Sequence, residues 1–231
     1  MMMAKILLIN LFYFNKICLP IQEQGVKIRN QGGAIMKKII ERVRDIVLKP
    51  KDTWPIIKGE HVDLKHLFIN YAVPLALIPT VCGLIGMLLI GIRTPIGVVR
   101  APILETTLGS VIGYVLGLAG ILVGSWIIKF LAPHFNSKAD LVAAAKVVIY
   151  SMTPYWVVGV LYIIPGLGIV SILAGLYGIY LMYLGLPAVL DTPSDKVIIF
   201  LISIIAVGFV ISLVLSAIVM GAFYSPFFMS M

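Results

Sequence analysis

Carboxylates are scarce in this chain and missing from the places where chemistry inside a membrane needs them. Asp and Glu together number 10 among 231 residues, against 18 Lys and Arg. None falls deep in a long apolar stretch: Glu105 is near an end, and Asp140, Asp191 and Asp195 lie in links. A charge at the centre of a spanning helix costs about 2.5–3.5 kcal/mol on insertion scales and usually marks a proton or ion path. That mark is missing. Cysteine is equally sparse, and Cys18 and Cys82 are not placed to bridge, which excludes a disulfide framework or a thiolate zinc site. Glu60, His61, Asp63 and His66 share a mixed polar stretch without a ligand spacing, so a solvated loop is expected there and no metal. No glycine-rich phosphate loop, nucleophile elbow or zincin helix appears. Neither an enzyme nor a bound cofactor is expected.

What is abundant is apolar surface: 61% of the residues are hydrophobic and 12% charged, a balance that needs lipid as solvent. A spanning helix takes roughly 20 mainly apolar residues, and five stretches qualify: Leu67–Ile90, Ile103–Leu131, Leu141–Ile164, Gly166–Leu190 and Val197–Phe223. They do not alternate as barrel strands do. The expected fold class is therefore all-α, a polytopic membrane protein of five transmembrane helices preceded by a basic amphipathic interfacial helix.

That leading helix is expected between Lys37 and Leu48, where Ile39, Ile40, Val43, Ile46 and Val47 form one apolar stripe. Lys37, Lys38, Glu41, Arg42, Arg44 and Asp45 fill the other side, and Pro50 ends the helix. Such a helix lies in the headgroup plane, although one packed on cytosolic loops needs the same stripe. Trp54 is expected to anchor the chain where it enters the bilayer. The formal charge of +8 is concentrated next to the first span, which points to anionic headgroups as partner and not to nucleic acid.

Residues 1–35 differ from the rest. The run Ile6–Phe14 behind Lys5 imitates a signal peptide, but no small-x-small cleavage site follows. Gln31-Gly32-Gly33 can be encoded CAA-GGA-GG, a string containing a bacterial ribosome-binding sequence shortly before Met36, so translation is expected to begin at Met36. The organisation is then 1–35 as an extension or leader, 36–66 as a cytoplasmic amphipathic segment, 67–223 as the five-helix domain and 224–231 as a short tail.

Orientation follows from the basic residues. The segment before the first span, the region Lys129–Lys146 and the link at Lys196 carry nearly all of them, while the opposite side has only Arg93 and Arg100. The positive-inside rule then places the N-terminus in the cytoplasm of a plasma membrane and the C-terminus outside. Lys129 and Lys146, near span ends, are expected to snorkel to the interface.

Inside the spans, Gly109, Gly113 and Gly117 recur every four residues, with Gly120 and Gly124 repeating the spacing, a pattern that lets helices pack closely. Pro74, Pro79, Pro154 and Pro187 each remove a backbone donor and kink or unwind their helices. Tyr150, Ser151, Thr153, Pro154 and Tyr155, with Tyr177 and Tyr180, are candidates for a polar pocket. Interhelical hydrogen bonding uses the same residues without a ligand.

Several short strings occur in a telling order. Leu48-Lys49-Pro50 is followed by Thr53-Trp54; Ala145-Lys146 leads into Tyr150-Ser151-Met152-Thr153-Pro154-Tyr155-Trp156. Then come Ile164-Pro165-Gly166-Leu167-Gly168, Leu176-Tyr177-Gly178-Ile179-Tyr180, Leu184-Gly185-Leu186-Pro187, and Thr192-Pro193 before Asp195-Lys196. From Met36 to about residue 220 the chain resembles the prokaryotic branch of the Yip family, whose eukaryotic members are Ypt/Rab-interacting membrane proteins. The resemblance implies a five-helix membrane domain with a cytosolic N-terminus; it does not imply an enzyme. Eukaryotic relatives contact prenylated small GTPases and shape membranes; their Asp-Leu-Tyr-Gly-Pro-like motif is not found here, so a GTPase partner is not carried over. Two functional readings stand: a membrane-organising protein that recruits a membrane protein or a second copy of itself, and a small transporter or channel subunit built on the kinked spans.

Overall fold

The computed structural model describes residues 33, 36–94, 97–99, 102–138 and 140–228, with the side chains at 92–94, 98–99, 165 and 215–228 excepted. Cys18, Arg100, the side chain of Arg93 and the whole of 1–35 apart from Gly33 therefore lie outside the described residues. The chain divides into two compact units, Met1–Arg44 and Asp45–Met231. In the first, residues 36–44 are helical, with Ile39 buried and Ile40 exposed. The helix, α1, runs on through residue 48 in the second.

At Lys49 the backbone leaves the helical region, and Pro50 begins a second helix, α2, Pro50–Gly59. Pro50 thus does more than end α1. Its missing N–H is one that the first turn of a helix leaves unpaired anyway, and its fixed φ suits that position. One face of α2, formed by Thr53, Trp54 and Ile57, is buried; Lys51, Asp52 and Ile56 are exposed.

Among the described residues, five helices are long and apolar enough to cross a membrane: Leu64–Ile90, Ile103–Phe135, Leu141–Ile163, Gly166–Leu190 and Val197–Val214. The first, α3, starts one turn before the apolar run and is interrupted by π turns at Phe68–Ala72 and Gly86–Ile90. Pro74 follows the first of these turns, where its missing N–H breaks the regular ladder and Val73 N–H reaches Phe68 O instead. Between the first and second spans lies a short antiparallel hairpin, β1 Ile92–Thr94 with β2 Gly97–Val99, pairing Arg93 with Val98. It was not legible as more than a link. Gly97 takes φ 127°, a conformation open to glycine.

The second span is α4, Ile103–Leu131, closed by a 3-10 turn Ala132–Phe135 and by Asn136 in the left-handed region. The third span is broken. Helix α5, Leu141–Ser151, ends at Met152; α6, Thr153–Val158, opens with Pro154 in its first turn and passes into a 3-10 segment Gly159–Ile163. A second 3-10 segment, Pro165–Ile169, leads into α7, Val170–Leu190. The last helix, α8, runs Val197–Phe228, past the point where a tail from 224 is expected.

The third span is the core of the bundle. Its apolar window is 61% buried, against 11–22% for the other four, and Ala144 to Ser151 are all buried. Glycines decide how closely its neighbours come, but not the ones the spacing suggests. A Cβ on Gly109, Gly113, Gly117 or Gly120 would meet nothing within 4 Å, and on Gly124 only ordinary contact with Val148 at 3.7 Å. The close approaches are elsewhere: Gly159 against Pro79, at 2.5 Å from its Cβ, and Gly178 against the Ser151 carbonyl oxygen, at 2.7 Å. Gly86 likewise lies on the carbonyls of Tyr162 and Ile163, and Gly185 on Trp54.

Candidate functional site

Polar side chains and aromatic rings converge where α2, α5 and the end of α7 meet. Trp54 comes from the buried face of α2 and is 1% exposed. Its indole stands edge-on to Tyr150, with ring centroids 6.3 Å apart, and Tyr150 in turn packs on Tyr71 of α3 at 4.8 Å. The Tyr71 hydroxyl and the Thr153 Oγ1 are hydrogen-bonded at 3.0 Å. This places Trp54 within protein and not among headgroups, which corrects the expectation of an interfacial anchor. Edge-on aromatic pairs add about 0.5–1.5 kcal/mol to what burial alone contributes.

Lys146 holds α2 from below. It stands just over one turn into α5, 6% exposed, and donates to the carbonyls of Ile57 at 2.8 Å and Glu60 at 2.6 Å. These carbonyls close the C-terminal end of α2, where a helix leaves acceptors unpaired and carries partial negative charge. A buried ammonium is costly unless hydrogen-bonded, and here it is. The side chain turns inward to the helix end instead of snorkelling outward. Lys129, by contrast, stays at its span end with Nζ 5.2 Å from the centroid of the Trp126 ring.

A third group of contacts ties the links together. Lys58 of α2 donates to Asp191, the left-handed C-cap of α7, and Lys138 approaches the other carboxylate oxygen at 3.7 Å. The Lys58 hydrogen bond holds the Asp191 carboxyl below its ordinary range, against a smaller opposing effect of burial, and the charges of Lys58 and Lys138 add to the lowering. Lys138 N–H also donates to Leu190 O at 2.9 Å. Ser137 Oγ donates to Thr192 Oγ1 at 2.9 Å, which donates to Leu186 O at 3.1 Å. On the other side of α7, the Tyr177 hydroxyl donates to Val47 O at the end of α1. The segment before the first span, the Phe135–Asp140 link and the Asp191–Lys196 link are thus joined on one side of the bundle.

The residues expected to form one polar pocket are distributed among several environments. Tyr150, Ser151, Thr153 and Pro154 are core, and Ser151 Oγ and Trp54 Nε1 are buried without a hydrogen-bond partner among the described residues. Tyr177 serves α1, with Tyr180 beside it at 5.7 Å between rings and largely exposed. Tyr155 faces a groove of about 500 Å³ between the first, second and third spans. Gly109, Gly113 and Gly117 line that same groove, so within one copy of the chain these three glycines border open space among the described residues. A second groove, of about 490 Å³, opens beside Lys146 and is lined by Lys58, Glu60, His61, Asp63 and Asp140. Sequence reasoning assigned that stretch to solvent. Among the described residues no group of three or more His, Cys, Asp or Glu side chains is placed to hold a metal ion.

Among the expected interface residues, Ile39 and Ile46 are buried, while Lys37, Lys38, Ile40 and Arg44 are exposed and Arg42 and Val43 are half-buried. In α1 and α2, Leu48 is 70% and Ile56 58% exposed, and Lys49 and Lys51 in the same segment are exposed too. Sequence reasoning passed over both apolar residues because neither completes a stripe.

Fold and site together define a five-span helical membrane protein whose second N-terminal helix is clamped to the bundle. The chain belongs to the Yip1 domain family, which matches residues 44–216. It is similar to the inner membrane protein YohC of Escherichia coli K12, at 27% identity over 172 residues that cover 73% of this chain and 88% of YohC. YohC of Escherichia coli O6:H1 matches to the same extent. No solved structure matches.

Proposed function

We propose that this Yip1 domain protein is a non-catalytic organiser of the plasma membrane. Its N-terminus is cytoplasmic and its C-terminus outside, and at the inner leaflet it recruits a membrane protein or a second copy of itself. The orientation is supported by the basic residues gathered on the side where α2 and two of the links meet, and the compartment by the similarity to an inner membrane protein. The observation that carries the reading is the exposure of Leu48 and Ile56, with Lys49 and Lys51, in the segment that precedes the first span. Exposed apolar side chains beside Lys suit anionic headgroups and an adjoining membrane protein, while Trp54 and Lys146 hold α2 in place beneath.

The test is mild extraction of wild type and of a Leu48→Asp, Ile56→Asp variant from the same cells, followed by identification of retained proteins and lipids. The reading expects a defined protein partner, or self-association, in wild type and its loss in the variant. The same set with both proteins would remove the recruiting surface. Solute flux through vesicles carrying only the pure protein would establish the transporter reading in its place.

A further inference from the structure

The groove beside Lys146 carries charges of both signs at headgroup level. Its walls come from the turn before the first span, which begins at Leu64, from Asp140 immediately before the third span at Leu141, and from Val189 at the end of the fourth, which closes at Leu190. Three span ends on one side fix its depth at the boundary between acyl chains and water. On its cationic side are Lys146 and Lys58. Lys146 uses two of its three N–H donors on Ile57 and Glu60 carbonyls, and among the described residues the third remains for an acceptor. Lys58 gives one hydrogen bond to Asp191 and is 45% exposed. On the anionic side are Glu60, Asp63 and Asp140, with His61 between the first two in the chain. Asp63 and Asp140 are each the N-cap residue of a helix, neither makes the side-chain cap hydrogen bond, and both are exposed.

A simple anion in this groove meets three carboxylates, and a simple cation meets two ammonium groups, one of them buried. A dipolar ligand satisfies both. We infer that the groove beside Lys146 binds the headgroup of a phosphatidylethanolamine, its phosphate on Lys146 and Lys58 and its primary ammonium on Asp63 and Asp140. The primary ammonium donates N–H groups that carboxylates accept in strong charge-assisted bonds. A quaternary choline has no N–H to donate, and glycerol brings no positive charge. The groove therefore discriminates by headgroup, which a general attraction of basic residues to anionic lipid does not do.

Native mass spectrometry of the full chain tests this, with phosphatidylethanolamine, phosphatidylglycerol and phosphatidylcholine of identical acyl chains offered in equal amounts. Wild type is expected to retain one phosphatidylethanolamine in preference to each competitor by roughly tenfold, the equivalent of one good charged hydrogen bond. Asp63→Asn with Asp140→Asn is expected to abolish the preference over phosphatidylglycerol while the protein stays folded, since neither carboxylate caps a helix. Lys146→Gln should lose the bound lipid altogether, but it also withdraws support from α2, so the aspartate pair is the decisive variant. Equal retention of the three lipids, a preference for phosphatidylglycerol, or an unchanged preference in the aspartate variant would each overturn the inference. So would thermal stabilisation by soluble O-phosphoethanolamine without any retained phosphatidylethanolamine, which would assign the groove to a free solute.

Discussion

Gly185 and Trp54 are shaped to each other: a Cβ placed on Gly185 would stand 2.8 Å from Cζ2 and 2.9 Å from Cη2 of the indole. Only a hydrogen at that position lets α2 lie against α7. Gly178, two helical turns earlier on the same helix, does the same for the Ser151 carbonyl of the third span. One face of α7 therefore receives both the N-terminal helix and the broken core helix.

Substitution of Gly185 by Ala pushes the indole out of its seat and is expected to destabilise the protein by about 1–3 kcal/mol, the usual cost of overpacking. Trp54→Ala leaves a cavity instead and is expected to cost about 3–5 kcal/mol. Thermal unfolding of the detergent-solubilised protein measures both. If Gly185→Ala unfolds at the wild-type temperature, the packing of α2 on α7 is wrong.

Lys146→Met withdraws the ammonium from two carbonyls at the end of α2, leaving Ile57 O with the Glu60 N–H at 3.3 Å, and is expected to cost about 1–3 kcal/mol in all. Amide hydrogen exchange in residues 50–60 should accelerate while that in α4 stays slow. Uniform exchange across the chain would mean that Lys146 supports the whole bundle and not α2 in particular.

The glycine stripe of the second span and the glycines of the close approaches should respond in opposite ways. Gly113→Ala fills open space in a helix and is expected to be neutral or stabilising by roughly 0.5–1 kcal/mol. Gly159→Ala brings a Cβ onto Pro79 and is expected to be strongly destabilising. A large loss of stability for Gly113→Ala in the isolated monomer would show that α4 is packed more tightly than the structure has it.

Asp191 gives the protein a weak acid sensitivity. Because the Lys58 hydrogen bond holds its carboxyl below the ordinary value, the stabilisation is fully present above about pH 4, the unfolded carboxylate value. It is lost as the pH falls through the lower folded value. Both side chains of the pair are more than a third exposed, 45% and 41%, so solvent screening limits the contribution to less than about 1 kcal/mol. Asp191→Asn should unfold slightly earlier than wild type at pH 7, with the gap closing below about pH 4 and in high salt. A gap that widens in acid would reverse the sign assigned to this pair.

The spans were legible because an apolar run long enough to cross a bilayer is a property of composition. The existence of α1 was legible because its stripe is periodic. Which face of each helix meets which neighbour was not, since that depends on rotation about the helix axis, and no local pattern records it. Gly109, Gly113 and Gly117 have the spacing of a packing motif yet face a groove; Gly178 and Gly185, seven residues apart on one face, carry the contacts with no i, i+4 repeat to flag them. Trp54 and Lys146 misled for a related reason. Each has an amphipathic side chain suited to an interface, and each is instead held by protein that lies about 90 and 130 residues away in sequence, the Ile57 carbonyl for Lys146 and Gly185 for Trp54. The break at Met152 was foreshadowed by Pro154, because a missing donor is a local fact.

The most direct measurement is the environment of residue 56 in the full chain in vesicles of phosphatidylethanolamine and phosphatidylglycerol. A nitroxide is placed there through Ile56→Cys, with Cys18 and Cys82 replaced, and its collisions with oxygen and with a water-soluble nickel chelate are compared. Lys138, 86% exposed, supplies the aqueous reference. With α2 seated by Trp54 and Lys146, the label should favour oxygen at an interfacial depth, and Trp54→Ala should shift it toward the aqueous reference. Collision rates at residue 56 equal to those at residue 138 in the otherwise wild-type protein would contradict the account.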